Sequence, residues 1–112
     1  MASVHAASCL AALLSLVGGG CALPAREANF RSADPQERAT AIARAAVAND
    51  AASIPALIES LDDPDPALRM LSIAALERIT GETLGYEATA PQPERERAVR
   101  RWVEWERARR GG

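Results

Sequence analysis

The chain has 112 residues, with 15 acidic side chains against 13 basic ones, all of them arginine, a single histidine and a formal charge of −2. Apart from His5, no charged side chain precedes Arg26, and setting aside a leader of about 20 residues leaves roughly 90, one small domain at most. A multidomain machine is excluded, and the absence of His, Cys and Lys after Cys21 removes Ser/His/Asp triads, Cys/His pairs, Lys Schiff bases, P-loop lysines and His- or Cys-ligated zinc.

The run Ala6 to Val17 (AASCLAALLSLV) is uncharged and apolar, and Gly18, Gly19, Gly20 and Cys21 follow it. It is too short for a comfortable bilayer span and has the form of an export signal with a small-residue cleavage zone. These residues resemble a bacterial lipoprotein precursor, in which small residues precede a Cys that takes diacylglycerol on sulfur and becomes the mature N-terminus. Gly19 and Gly20 fit the positions before Cys21; Gly18 stands where Leu, Val or Ile is usual, and the n-region lacks Lys and Arg. The resemblance implies a signal peptide over 1–20, lipid attachment at Cys21 and a place in the cell envelope. Ala22 in place of Asp points to the outer membrane or periplasmic face. An ordinary secretory signal cut near Ala22 is the alternative. With Cys9 inside the leader, a lipoprotein product keeps one alkylated Cys and can form no internal disulfide.

Residues 21–33 show no sustained period and contain Pro24, which reads as a flexible tether with Phe30 free to dock on the first helix. A helix then starts at Asp34-Pro35-Gln36-Glu37, with Asp as N-cap, Pro first in the helix and Glu three residues past the cap. Its apolar face is expected at Ala39, Ile42, Ala43, Ala46 and Val47. A second helix, about Ala51 to Leu61, places Ile54, Leu57, Ile58 and Leu61 on one face. The turn Asp62-Asp63-Pro64-Asp65-Pro66 stops it and caps a third helix, about Pro66 to Thr80, whose face carries Leu68, Leu71, Ser72, Ala75, Leu76 and Ile79. Gly81 ends that helix.

The set Ile54-Pro55-Ala56-Leu57-Ile58, Leu61-Asp62-Asp63-Pro64-Asp65-Pro66, Leu68-Arg69 and Ala74-Ala75-Leu76 resembles a HEAT-like repeat, of the short kind also found in bilin-lyase-type solenoids. One full repeat covers 51–80, and Asp34 to Asn49 resembles the second helix of a preceding, truncated repeat. The resemblance implies an all-α solenoid fragment of about four helices. It also implies polar contacts along the stack at the turn Asp and the second-helix Arg, here Asp63 and Arg69.

Beyond Gly81 the chain departs from the repeat. A loop carrying Gly85-Tyr86 leads to a charged helix, about 94–109, expected to cap the domain over 34–110. Ala98, Val99, Trp102 and Trp105 share one side of it, facing the core. Met70 and Ile73 lie off the main face of the third helix and would be exposed unless this last helix covers them. With Arg97, Arg100, Arg101 and Arg107 on the outer side of the last helix, they form the candidate interaction surface. The pairs Glu96–Arg100 and Glu106–Arg110 have the spacing of a solvated helix face. The Asp62, Asp63, Asp65 cluster lacks the Gly and distant Glu of a calcium loop and serves the turn. The expectation is therefore a membrane-tethered helical-repeat binding or scaffold protein with an unknown protein partner. It is not an enzyme and has no cofactor, metal or nucleic-acid partner. An accessory subunit of a bilin-lyase-like or other modifying enzyme, and a self-associating structural lipoprotein (a homo-oligomer), are the alternatives.

Overall fold

The computed structural model describes residues 29–112. The leader, Cys21 and the first part of the expected tether lie outside the described residues. The fold consists of α1 (Pro35–Val47), a 3-10 turn at Ala51–Ser53, α2 (Ile54–Ser60), α3 (Pro66–Thr80) and α4 (Gln92–Gly111), with no strand among the described residues. None of these helices is long and apolar enough to cross a membrane.

Three helical starts use the same device. Asp34, Asp50 and Asp65 sit in extended backbone and accept a hydrogen bond from the N–H two residues on, at 2.9, 3.1 and 2.9 Å. Each satisfies one donor that a helix start leaves without an intrahelical partner. Pro35 and Pro66 come next, where a missing N–H loses nothing. Glu37 does not reach back to the cap N–H; its carboxylate takes the Ser32 hydroxyl, whose oxygen accepts from the Asp34 N–H. Left-handed residues close α1 and α3, at Asn49 (φ 51°) and Gly81 (φ 77°). The second helix is not one run from Ala51 to Leu61. Asp50 binds both the Ala52 N–H and the Ser53 hydroxyl, which tightens the first turn to 3-10 and leaves an α-helix of 7 residues.

α1 and α3 are the main packing pair, α2 packs on α3, and α4 packs chiefly on α2. Ile42, Leu57, Leu61, Leu76 and Trp102 form the fully enclosed centre, and burial of each large apolar side chain contributes about 1.5–3 kcal/mol. Phe30 joins this core at 8% exposure, and Asn29 and Phe30 are helical, so the expected tether ends before residue 29 and not at Ala33.

Phe30 lines one cleft with Ala41 and Ala45 of α1, and with α3 as the main partner of α1 the buried positions are Ala41, Ile42 and Ala45, while Ala43 and Val47, expected inside, are exposed, Val47 at 74%. Leu71 is likewise 42% exposed, because the core side of α3 is set by Leu68, Ser72, Ala75 and Leu76. The last helix does not cover Met70, which stays 55% exposed; Ile73 is half-buried against the core. The reason lies in the loop before α4, whose anchors draw the chain toward α2. That helix is short, and Ala98 and Trp102, both 0% exposed, fill the space it leaves.

Candidate interaction surface

Three arginines hold the same place in three helices. Arg38, Arg69 and Arg95 are each the fourth residue of α1, α3 and α4, and each donates an Nη1 hydrogen bond to the carbonyl 5 residues upstream, at Ala33, Pro64 and Ala90. Arg38 and Arg69 add the carbonyl 6 residues upstream, Ser32 and Asp63, at 2.8 and 2.9 Å. Each clamps its own turn. Two of them also reach the next turn along the chain. Arg38 pairs with the Asp63 carboxylate at 2.9 Å in a site where the two side chains are 18% and 7% exposed. Arg69 donates Nε–H to the Ala88 carbonyl at 3.3 Å. The turns before α1, α3 and α4 are thereby stacked edge to edge. Asp63 and Arg69 both belong to this chain of contacts but not as a carboxylate–guanidinium pair: Arg69 takes the backbone carbonyl of Asp63, and the carboxylate also accepts the Asp65 N–H at 2.9 Å.

Arg38 and Arg95 were not singled out by sequence. The signal for Arg38 is present, since Asp34-Pro35-Gln36-Glu37-Arg38 and Asp65-Pro66-Ala67-Leu68-Arg69 are two copies of one Asp-Pro-x-x-Arg pattern. Pro91 replaces the Asp before α4, which hides Arg95. The last helix is therefore closer to the repeat than its sequence indicates.

The loop 81–91 is fastened to the stack by Tyr86. Its ring is 4% exposed and its hydroxyl donates to the Leu61 carbonyl. Leu84 (φ 51°) and Gly85 (φ 73°) make the bend that turns Tyr86 inward, and α4 holds the bend by bonds from Trp102 Nε1 to Thr83 O at 3.0 Å and from Arg101 Nε to Leu84 O at 2.8 Å. Burial pushes the Tyr86 phenol above its ordinary value of 10.0, against the lowering pull of Arg69 and Arg95, and Asp62 adds to the rise. A raised folded-state pKa means that the phenol contributes its full stabilisation below the unfolded value and loses it as pH climbs through the folded one. Stability measured by urea titration should therefore fall from pH about 10 upward, and Tyr86→Phe should flatten that alkaline decline.

The residues singled out as an interaction surface fall into three groups. Met70 is exposed on the outer side of α3 beside Leu71. Counted from Arg38 and Arg69, Leu71 stands level with Thr40 and Ala74 with Ala43, and all four are exposed, as is Val47 further along α1. Arg97, Arg100 and Arg107 are exposed on α4 and make no side-chain hydrogen bond or ion pair among the described residues. Arg101 and Ile73 instead serve the fold, one tied to the loop and the other packed on the core.

Of the two expected charge pairs, Glu106–Arg110 forms and Glu96–Arg100 does not. Glu96 accepts from Gln92 Nε2 at 2.8 Å and not from Arg100. Glu106 is no solvated residue: it is 7% exposed and takes Arg109 at 2.8 Å and Arg110 at 2.7 Å. Burial alone would raise its pKa, but the hydrogen bonds from Arg109 and Arg110 outweigh that and hold the carboxyl below its ordinary 4.5. Arg109 in turn lies over the Trp105 ring at 5.8 Å.

Comparison with curated proteins and with solved structures finds no match. The family model for HEAT repeats matches residues 23–92, a span that takes in α1, α2, α3 and the loop whose Ala88 carries the stacking contacts one turn further. With both the match and the stacked helix pairs covering most of the domain, the chain belongs to the HEAT repeat family.

Proposed function

We propose that the protein is a non-catalytic interaction module, exported to the cell envelope and held at a membrane through lipid on Cys21. HEAT repeats are in general protein-interaction modules, and helical repeats work by holding side chains in fixed register on an extended surface. The observation that carries the reading is the outer face of α1 and α3. There Val47, Met70 and Leu71 stay 74%, 55% and 42% exposed although α4 caps the stack elsewhere. Met70 and Leu71, sequence neighbours on α3 left in water on an ordered, capped scaffold, are read as the centre of a contact site, with Val47 on α1 as a further apolar position. The lipid anchor rests on the leader sequence that ends in Cys21. Its role would be to raise the local concentration of that face at a membrane.

Expression in a bacterial host and recovery from its membranes tests both parts. Intact mass should give an N-terminus at Cys21 carrying acyl mass, lost in Cys21→Ala; an unmodified soluble product cut near Ala22 would overturn the anchor. In mild detergent the protein should elute as a complex that Met70→Glu dissociates, and a monomer unaffected by Met70→Glu would overturn the contact site.

A further inference from the structure

A second surface feature lies on the other side of the molecule's packing, where α4 meets α2. The two helices form an open notch of about 210 Å³, floored by Pro55, Ile58 and Val103 and edged by Glu59, Glu106, Arg107 and Arg110. Its floor is apolar, and Val103 is 37% exposed there. Its size suits one large aliphatic or aromatic side chain.

The charges around it are unevenly satisfied. Glu59 is taken by Arg31 at 3.1 Å, and Glu106 by Arg109 and Arg110 at 2.8 and 2.7 Å. Arg107 has no carboxylate among the described residues, nor has Arg100 two turns earlier on the same side of α4. Glu104, exposed between them, pairs with neither. The charged lining itself is balanced, Glu59 and Glu106 against Arg107 and Arg110, but Glu59 is taken by Arg31 and Glu106 by Arg109 and Arg110, so Arg107 is the lining charge left without a counter-charge above the apolar floor.

Resting on the interaction-module reading, we propose that this notch receives an apolar side chain from an acidic segment of a partner protein. Carboxylates flanking that side chain pair with Arg107 and Arg100. The apolar floor and the charge both enter this choice. A flat anionic surface could meet the arginines but would leave the notch empty, whereas an extended segment fills the floor and reaches the edge together.

Panning a phage-displayed random-peptide library on the immobilised protein tests this. Enriched peptides should join an apolar residue to flanking Asp or Glu. Their synthetic forms should lose about ten-fold in affinity on Val103→Glu and on Arg107→Glu. Exchanging the peptide acid for Lys should restore binding to Arg107→Glu. Both positions are exposed, so circular dichroism should show unchanged helix content. Enriched peptides without acidic residues, or binding indifferent to Val103→Glu, would overturn the inference. So would phosphatidylglycerol vesicles that bind through Arg107 but not Val103. Peptides lost on Leu71→Glu but not on Val103→Glu would remove this site and leave the interaction module standing, and enrichment of no peptide at all would remove both.

Discussion

Trp102→Ala is expected to lower the unfolding free energy by about 3–5 kcal/mol, the range for emptying a fully buried aromatic site. Trp102 is 0% exposed, donates its indole N–H to Thr83 O at 3.0 Å and meets Trp105 edge-on with ring centroids 5.4 Å apart. It is the main apolar contribution of α4 to the core, and its loss also frees the bend at Leu84 and Gly85. A domain this small has a total stability of about 5–15 kcal/mol, so the variant should be close to unfolding at 37 °C. Urea denaturation followed by far-ultraviolet circular dichroism gives the measurement. Trp102→Phe keeps most of the buried ring and loses chiefly one hydrogen bond, so it should recover more than half of the deficit. A loss below about 1 kcal/mol for the Ala variant would show that α4 is only loosely part of the core.

Asp63→Ala should cost about 3 kcal/mol, for a different reason. It strands the Arg38 guanidinium in a site where it is only 18% exposed, and it removes the acceptor of the Asp65 N–H. Breaking one half of an enclosed pair is dearer than the net value of the pair, because the remaining charge loses its counter-charge with little solvent to replace it and keeps only the Ser32 and Ala33 carbonyls. Asp63→Asn keeps an oxygen for the Asp65 N–H and should fall between the two. Arg38→Ala combined with Asp63→Ala should be less harmful than the sum of the single changes, the signature of a shared interaction. Glu59→Ala is the control: its partner Arg31 has a side chain 69% exposed and its own is 60% exposed, and such surface pairs contribute about 1 kcal/mol or less. Thermal and urea denaturation of these variants, with Arg38→Ala alone to complete the cycle, decide the matter.

Local chemistry made much of this fold legible in the sequence. The caps at Asp34 and Asp65, the stop at Gly81 and the apolar period of Ile54, Leu57, Ile58 and Leu61 are all set by side chains acting within a turn or two. The orientation of α1 and the position of α4 are not of that kind. Alanine carries almost no amphipathic signal, so the rotation of an Ala-rich α1 about its axis is set by what packs on it, here chiefly α3. The path of α4 depends on Tyr86 reaching Leu61 and on Arg69 reaching Ala88, contacts between residues 25 and 19 positions apart. Periodicity does not report such distances. The candidate surface was legible to the same extent. Met70 stood out as an apolar residue off the buried stripe, but Val47 and Leu71 fit the expected stripes and gave no sign of exposure. Glu106 has the spacing of a solvated i,i+4 partner, and only its packing against α2 shows otherwise.

The burial of Phe30 sets a reach. With Cys21 as the proposed anchor, the seven residues from Ala22 to Ala28 separate the lipid from the first helical residue, and a chain of that length spans at most about 25 Å. That leash is shorter than the hydrocarbon core of a bilayer is thick, about 30 Å. A partner bound to the helical stack would have to project close to the same membrane surface, and lengthening the leash with a Gly/Ser insert before Asn29 would extend that radius without touching the fold.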